Sequence, residues 1–438
     1  MVPSVPMTLE YGIVRVVFLA WAAAAPQDRS QEAAARIEDL LRRGEVAKGL
    51  AEADAALVAA PGSRPVRTAR ARCLFERGDF PAAEALLSEL LGEISSGSPE
   101  DRAQRPALLV RLAEVHLAQG DHERAAKAAL EAAGSAAPAA APARASGDLA
   151  AAAGGVLLRA RRYGAALPLL ERAVESDPRS HFRLWARGVA RARTGDLRGA
   201  VEDLARAAEE PALRFEAKNE MGLALSKLGE HARAAAALLE ALAIDPWQAE
   251  ACYALAQEMV KLRKPRVAGL LHRYFEALRE TEGTSSLDHH LAALGRPVDA
   301  SIERARRYER LGRYEKVFEE LHRLRRMGES AAAAQTEAEF WRRAGVDEPA
   351  RRAAALIERA RKALAAGRGE EGYRLARLAV ALEPRSSEAL RTAVAAHAAP
   401  ADVLPRIHFL TRLAAIQPAD AAARAALEEA RRAIEGES

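Results

Sequence analysis

The sequence predicts an all-α protein, a stack of antiparallel helical hairpins. Three observations carry that expectation. Small residues recur at a 34-residue step, at Gly154, Gly188 and Gly222, at Ala166, Ala200, Ala234 and Ala268, and at Ala173, Ala207 and Ala241. Apolar residues follow helical spacing on both sides of short glycine turns, and no alternating strand pattern survives beyond the N-terminus. Half of the 438 residues are apolar but only 5% are aromatic, and alanine stands where a compact core would need large side chains. Units of this size cannot bury an apolar face alone, so neighbours must share a continuous core.

The clearest unit is Arg214 to Pro246. Two amphipathic helices flank Gly229-Glu230, and Pro246 ends the second because proline lacks the N–H and clashes with the preceding turn. Gly222 on the first helix and Ala234 on the second are small where two backbones must approach, at the short end of the roughly 8–10 Å interaxial range. The same signs recur in Asp148 to Pro178 and Phe182 to Pro211.

These residues resemble the tetratricopeptide repeat family, whose 34-residue unit carries small residues at its eighth, twentieth and twenty-seventh positions and proline near its thirty-second. Units starting near Gly147, His181 and Phe215 place Gly154/Ala166/Ala173/Pro178, Gly188/Ala200/Ala207 and Gly222/Ala234/Ala241/Pro246 there, with Pro211 one residue early. A fourth unit near Ala249 keeps Ala256 and Ala268 but has Arg263-Lys264-Pro265 at the turn. The resemblance implies a right-handed superhelical solenoid.

Looser copies flank this core. Gly44-Glu45 with Pro61, Gly78-Asp79 with Ala83, and Gly120-Asp121 with Ala125 each read as a turn and second helix, with phase slips in Leu91 to Arg105 and in Gly134 to Gly147. Downstream, Leu311-Gly312-Arg313-Tyr314 is a turn, Pro384 and Pro418 lie one repeat apart, and 331–367 can be phased in two ways. Residues 419–434 read as a polar capping helix. The expected organisation is a signal segment over 1–25, irregular repeats over 30–133, an Ala/Pro linker over 134–147, a regular core over 148–282, a loop over 283–297, and divergent repeats with a cap over 298–438.

The apolar run Ile13 to Ala25 ends in small residues before Gln27-Asp28-Arg29 and resembles a secretory signal peptide, despite Arg15 and Glu10. It is shorter than the roughly 20 residues of a stable span. Export with only transient membrane contact is expected. The alternative is an apolar segment docked on the stack of a cytoplasmic protein. Cys73 and Cys252 fall on first helices of separate units and read as small packing residues.

Motifs for catalysis are missing. Gly367-Arg-Gly-Glu-Glu-Gly372 matches a dinucleotide fingerprint formally but has no strand before it, so it reads as a turn. Asp288-His289-His290 has no second ligand cluster, and neither P-loop, HExxH nor GxSxG occurs. No enzyme activity, cofactor or metal is expected. The net charge of +4 gives little long-range field, which argues against an obligate nucleic-acid binder.

What remains is a groove. The family resemblance implies that first helices present positions two, five, six, nine, twelve and thirteen inward. This selects Phe182, Trp185 and Arg193, then Asn219 and Lys227, then Tyr253 and Lys261, and adds Arg159 to a basic ladder of Arg159, Arg193, Lys227 and Lys261. Such a surface suits an extended acidic or C-terminal peptide; a plain row of solvated cations is the other reading. Asn219, at the fifth position, does not fit the family's asparagine clamp for chaperone tails. The expected function is a non-enzymatic scaffold for protein or peptide. Alternatives are a subunit of an envelope machine for polysaccharide export or outer-membrane assembly, and nucleic-acid binding by the Arg304 to Arg326 region.

Overall fold

A computed structural model describes residues 29–95, 99–135, 143–282, 291, 296–348, 351–399 and 402–435. The signal-like segment 1–25, most of the Ala/Pro linker, most of the loop at 283–297 and the Asp288-His289-His290 cluster lie outside these residues. The described residues form 22 α-helices and no strand.

Ten helices make the first part: α1 Arg29–Arg42, α2 Val46–Ala59, α3 Arg64–Arg77, α4 Phe80–Ser95, α5 Pro99–Ala118, α6 His122–Gly134, α7 Ala143–Arg159, α8 Tyr163–Ser176, α9 His181–Thr194 and α10 Leu197–Ala207. Twelve follow: α11 Arg214–Lys227, α12 His231–Ile244, α13 Ala249–Lys261, α14 Pro265–Glu282, α15 Pro297–Arg310, α16 Tyr314–Arg326, α17 Ser330–Ala344, α18 Ala353–Ala365, α19 Gly369–Leu382, α20 Ser387–Ala396, α21 Val403–Ile416 and α22 Ala421–Glu435. None is long and apolar enough to cross a membrane among the described residues.

The small residues act as the sequence predicts. A Cβ on Gly154 would lie 2.8 Å from Leu170, one on Gly188 2.8 Å from Leu204, and one on Gly222 2.7 Å from Leu238. Each glycine thus admits a leucine of the second helix into the space a side chain would fill. The turns repeat too. Gly195 and Gly229 adopt positive φ, and so do Arg161 and Arg263 at the corresponding turn positions (φ 59° and 60°), although a side chain costs energy in that left-handed region.

Among the described residues, both phase slips are partly helix. Leu91 to Arg105 is largely absorbed by a 16-residue α4 and a 20-residue α5, with Pro99 opening α5, where its missing N–H costs no hydrogen bond. The Ala/Pro segment ends early, because α7 begins at Ala143 rather than after Gly147. Over 331–367 the structure selects one phase: α18 and α19 form the regular hairpin around Gly367, and α17 lies against α16, with Phe340 5.8 Å from Tyr314 and 5.6 Å from Phe318 between ring centroids.

The chain divides into two compact units. The first comprises residues up to Ala207 with Ser286–Ala300 and Leu324–Ser330, and the second Ala208–Ser285, Ser301–Arg323 and Ala331–Ser438. The boundary between Ala207 and Ala208 falls inside the sequence-regular core, where α10 is only 11 residues long and Pro211 precedes α11.

In the first unit, hairpins stack in chain order from α1/α2 to α9/α10. Arg183, buried at the start of α9, ties three helices together through an ion pair with Asp148 on α7 and a 2.8 Å hydrogen bond to the Ala173 carbonyl on α8. In the second unit the order is not purely sequential. Leu404, Ile407 and Leu410 of α21 share a core with Leu238, Leu242 and Leu255, and the His408 Nδ1–H donates to the Ala243 carbonyl at 3.1 Å. Burial holds the His408 imidazole well below its usual range, to about 4.

Candidate functional site

The groove residues fall into both units, four in each: Arg159, Phe182, Trp185 and Arg193 in the first, Asn219, Lys227, Tyr253 and Lys261 in the second.

In the first unit the sequence-selected aromatic pair divides its roles. Phe182 is half-buried and its ring centroid lies 5.8 Å from that of Trp185. Trp185 itself is only 9% exposed and its indole Nε1 is buried without a hydrogen-bond partner. Trp185 is therefore chiefly a core residue of α9, and Phe182 carries the accessible aromatic surface. Arg193 and Arg159 are both half-buried.

Arg159 is part of a larger charged array that the sequence reading did not assemble. Arg72, Phe75 and Glu76 of α3 line a cavity of about 20 Å³ with Arg111, Glu114 and Val115 of α5, room for about one water. Arg72 pairs with Glu38 of α1. Glu114 is pushed up to about 7 by burial, a shift that the nearby Arg111, Arg159 and Arg72 oppose but do not cancel. Burial likewise holds the Arg111 guanidinium below its ordinary range, with Glu38 pulling the other way. By area Arg111 and Glu114 are only half-buried. Loss of solvation among crowded neighbours together with residual access is what a concave wall produces.

A signal for these residues was present. The turn glycines Gly44, Gly78 and Gly120 all have positive φ, like Gly195 and Gly229 in the regular units. Counting back from each turn places Glu38, Arg72 and Glu114 at the ninth position, Glu76 at the thirteenth and Arg111 at the sixth. The longer α4 and α5 hid this register by adding residues between turns.

In the second unit Tyr253 is 42% exposed, with Phe275 and His272 beside it at 5.0 and 6.4 Å between ring centroids. Lys227 is exposed, and Asn219 is half-buried with its Oδ1 buried and unpartnered. Lys261 is exposed but paired within the chain. Its Nζ lies 2.7 Å from Glu258 Oε1 and 3.1 Å from Ser226 Oγ, while His231 Nδ1 lies 2.8 Å from Glu258 Oε2. Burial works to raise the Glu258 carboxyl, but hydrogen bonds from Lys261, Ser226 and His231 together hold it below the usual carboxylate range. The last rung of the ladder thus fastens α13 to α11 and α12.

The arginine-rich stretch Arg304 to Arg326 also turns much of its charge inward. Arg304 forks onto Glu320 at 3.0 and 3.1 Å, Arg306 reaches Glu303 at 2.7 Å, and Arg313 reaches Asp245 at 2.5 Å. Cys73 and Cys252 are buried free thiols, both pushed up to about 12 by burial. No group of three potential metal ligands occurs among the described residues.

No protein-family model matches the chain, and no curated protein matches it. Among solved structures it is similar to MamA AMB-1 in a C2221 crystal form, at 19% identity and TM-score 0.33 over 40% of this chain and 98% of that one. YrrB, described as a TPR protein with an unusual peptide-binding site, shares 20% identity and TM-score 0.35 over 44% of this chain and 92% of that one. The P58(IPK) TPR domain shares 16% identity and TM-score 0.24 over 93% of this chain and 99% of that one. The 34-residue hairpins, the glycine-to-leucine contacts between their helices and the left-handed turn residues in register give this chain a helical-repeat fold of stacked antiparallel hairpins.

Proposed function

We propose that this protein is a non-enzymatic scaffold that binds protein or peptide through the inward positions of its first helices. The observation that carries the reading is the charged array of α3, α5 and α7 in the first unit. Arg111, Glu114 and Arg159 keep partial access to solvent, although helix packing alone would be served by apolar residues at lower desolvation cost. Phe182 in the first unit and Tyr253 in the second add aromatic surface for side chains of an extended segment. Because acidic residues alternate with the arginines, the partner for the first unit is a segment of mixed charge rather than a uniformly acidic one, as complementary potentials require.

Capture of partners with wild type and with a Phe182→Ala, Arg111→Ala double variant tests this. The expected outcome is loss of most specifically captured proteins with unchanged helical circular dichroism. Retention of every partner overturns the groove assignment.

A second reading rests on the signal-like run Ile13 to Ala25. Export would place the scaffold in an envelope assembly or secretion machine. N-terminal sequencing of protein recovered from the producing cells is expected to begin among Ala23 to Pro26; a chain that starts at Met1 or Met7 removes this reading. Nucleic-acid binding has less support, because Arg304 and Arg313 are committed to internal carboxylates.

A further inference from the structure

The cavity of the first unit joins two kinds of lining. Phe75, Leu87 and Val115, from α3, α4 and α5, are apolar, while Glu76 of α3 and Glu114 of α5 are acidic. Leu87 and Val115 are buried, whereas Phe75, Glu76 and Glu114 are half-buried and keep access to solvent. The Phe75 ring rests on Phe80, with 5.6 Å between ring centroids.

Arg72 and Arg111 line the same cavity. Arg72 is matched by Glu38 of α1, and Arg111 is also engaged within the chain. Glu76 and Glu114 differ from them. Neither forms a hydrogen bond or an ion pair among the described residues. An ionised carboxylate offers two oxygens with about four lone-pair sites, so the cavity presents open acceptors beside arginines that already have partners.

Electrostatics agree with this geometry. Burial and the neighbouring Glu76 raise the Glu114 carboxyl to about 7, against the pull of Arg111, Arg159 and Arg72. A carboxylate that is costly in the free protein is matched once a ligand brings the donor that the chain does not supply.

Size selects the donor. A cavity of about 20 Å³ holds about one water. An ammonium head is a similarly compact point charge with three donors, whereas a guanidinium is a wider planar fork. The methylene stem of a lysine lies along apolar surface while its head seeks polar partners, which is the pairing of Phe75, Leu87 and Val115 with two carboxylates. Glu38, Glu76 and Glu114 are balanced in number by Arg72, Arg111 and Arg159. Direct hydrogen bonds rather than a net field must therefore hold the head.

We propose that this cavity takes the ammonium head of a lysine from the bound segment, with Glu76 and Glu114 accepting its hydrogen bonds and Phe75, Leu87 and Val115 contacting its stem. The inference rests on the peptide-binding reading and names the side chain that anchors the partner in the first unit.

Selection of a random peptide library on the full chain tests it. Enriched peptides are expected to share a lysine at one position, and acetylating the ε-amine of that lysine is expected to weaken binding at least tenfold. Ionised Glu114 favours the cation, so binding displaces its proton and affinity is expected to rise with pH through about 7. Glu114→Gln is expected to weaken the selected peptide at least tenfold at pH values above that and to flatten the pH profile, with unchanged helical circular dichroism. Glu76→Gln is expected to weaken it several-fold and keeps the test valid should Glu114→Gln fail to fold. Enriched peptides with no shared lysine, or a lysine whose acetylation or whose loss of Glu76 and Glu114 leaves affinity unchanged, overturn the proposal and leave the cavity as a water site, while the groove reading stands. No enrichment on wild type overturns both.

Discussion

Arg187 on the first helix of the α9/α10 hairpin grips the buried carboxylate of Asp203 on the second, with Nε and Nη2 at 2.8 and 2.7 Å from its two oxygens. Arg191 adds a third bond at 2.9 Å. Asp203 is 3% exposed, so its replacement strands two guanidinium groups beside an apolar interface. Asp203→Ala is expected to destabilise the first unit by about 3 kcal/mol, measured by urea denaturation followed by circular dichroism. A change below about 0.5 kcal/mol would show that solvent screens this pair.

The Glu114 carboxyl, raised to about 7, makes the opposite kind of contribution. Its folded pKa exceeds the unfolded value, so the folded state is favoured by protonation, and that contribution is lost as pH rises through about 7. Glu114→Gln is therefore expected to stabilise the protein by about 1–3 kcal/mol at pH 8 and to change little at pH 5. Paired melting curves at the two pH values check both the sign and the window.

Glu258 titrates with the reverse sign. Its folded pKa lies below the ordinary 4.5, so its stabilisation is present above that pH and is lost as pH falls through the lower folded value. Glu258→Gln is expected to cost about 1–3 kcal/mol at neutral pH and progressively less below about pH 4. A cost that stays constant down to pH 3 would assign the effect to packing rather than to the charge held by Lys261, Ser226 and His231.

The turns offer a stabilising change. Arg161 and Arg263 hold the left-handed conformation that Gly195 and Gly229 hold in the intervening units. Arg161→Gly and Arg263→Gly are each expected to raise stability by about 0.5–1 kcal/mol, the relief of the left-handed strain less the entropy a glycine loses on folding. Urea midpoints of the single and double variants measure this, and additivity is expected because the two turns lie in different units.

Much of the fold was legible because its signals are local. Gly154, Gly188 and Gly222 mark where a leucine of the second helix must enter, and that steric demand recurs at 34-residue steps through these three units. Prolines and turn residues end helices within a few residues of themselves, so hairpin boundaries follow from neighbours in sequence. The charged array was less legible. Longer α4 and α5 displaced the register that would have placed Arg111 and Glu114 beside Arg72. Whether a groove residue is accessible or already paired depends on packing partners, and so Trp185 could not be told from Phe182, nor Lys261 from Lys227, by position alone.

The sequence by itself determined the hairpin, its 34-residue step and the small residues at its helix contact, since each arises from helical periodicity and short-range sterics. Tertiary structure decided the rest. It divided the regular core at Ala207, joined His408 to Ala243 across 165 residues, and gave Lys261 a buried acid while leaving Lys227 exposed. Burial and charge pairing depend on which distant side chains share a space, and the repeat specifies that space only for its nearest neighbours.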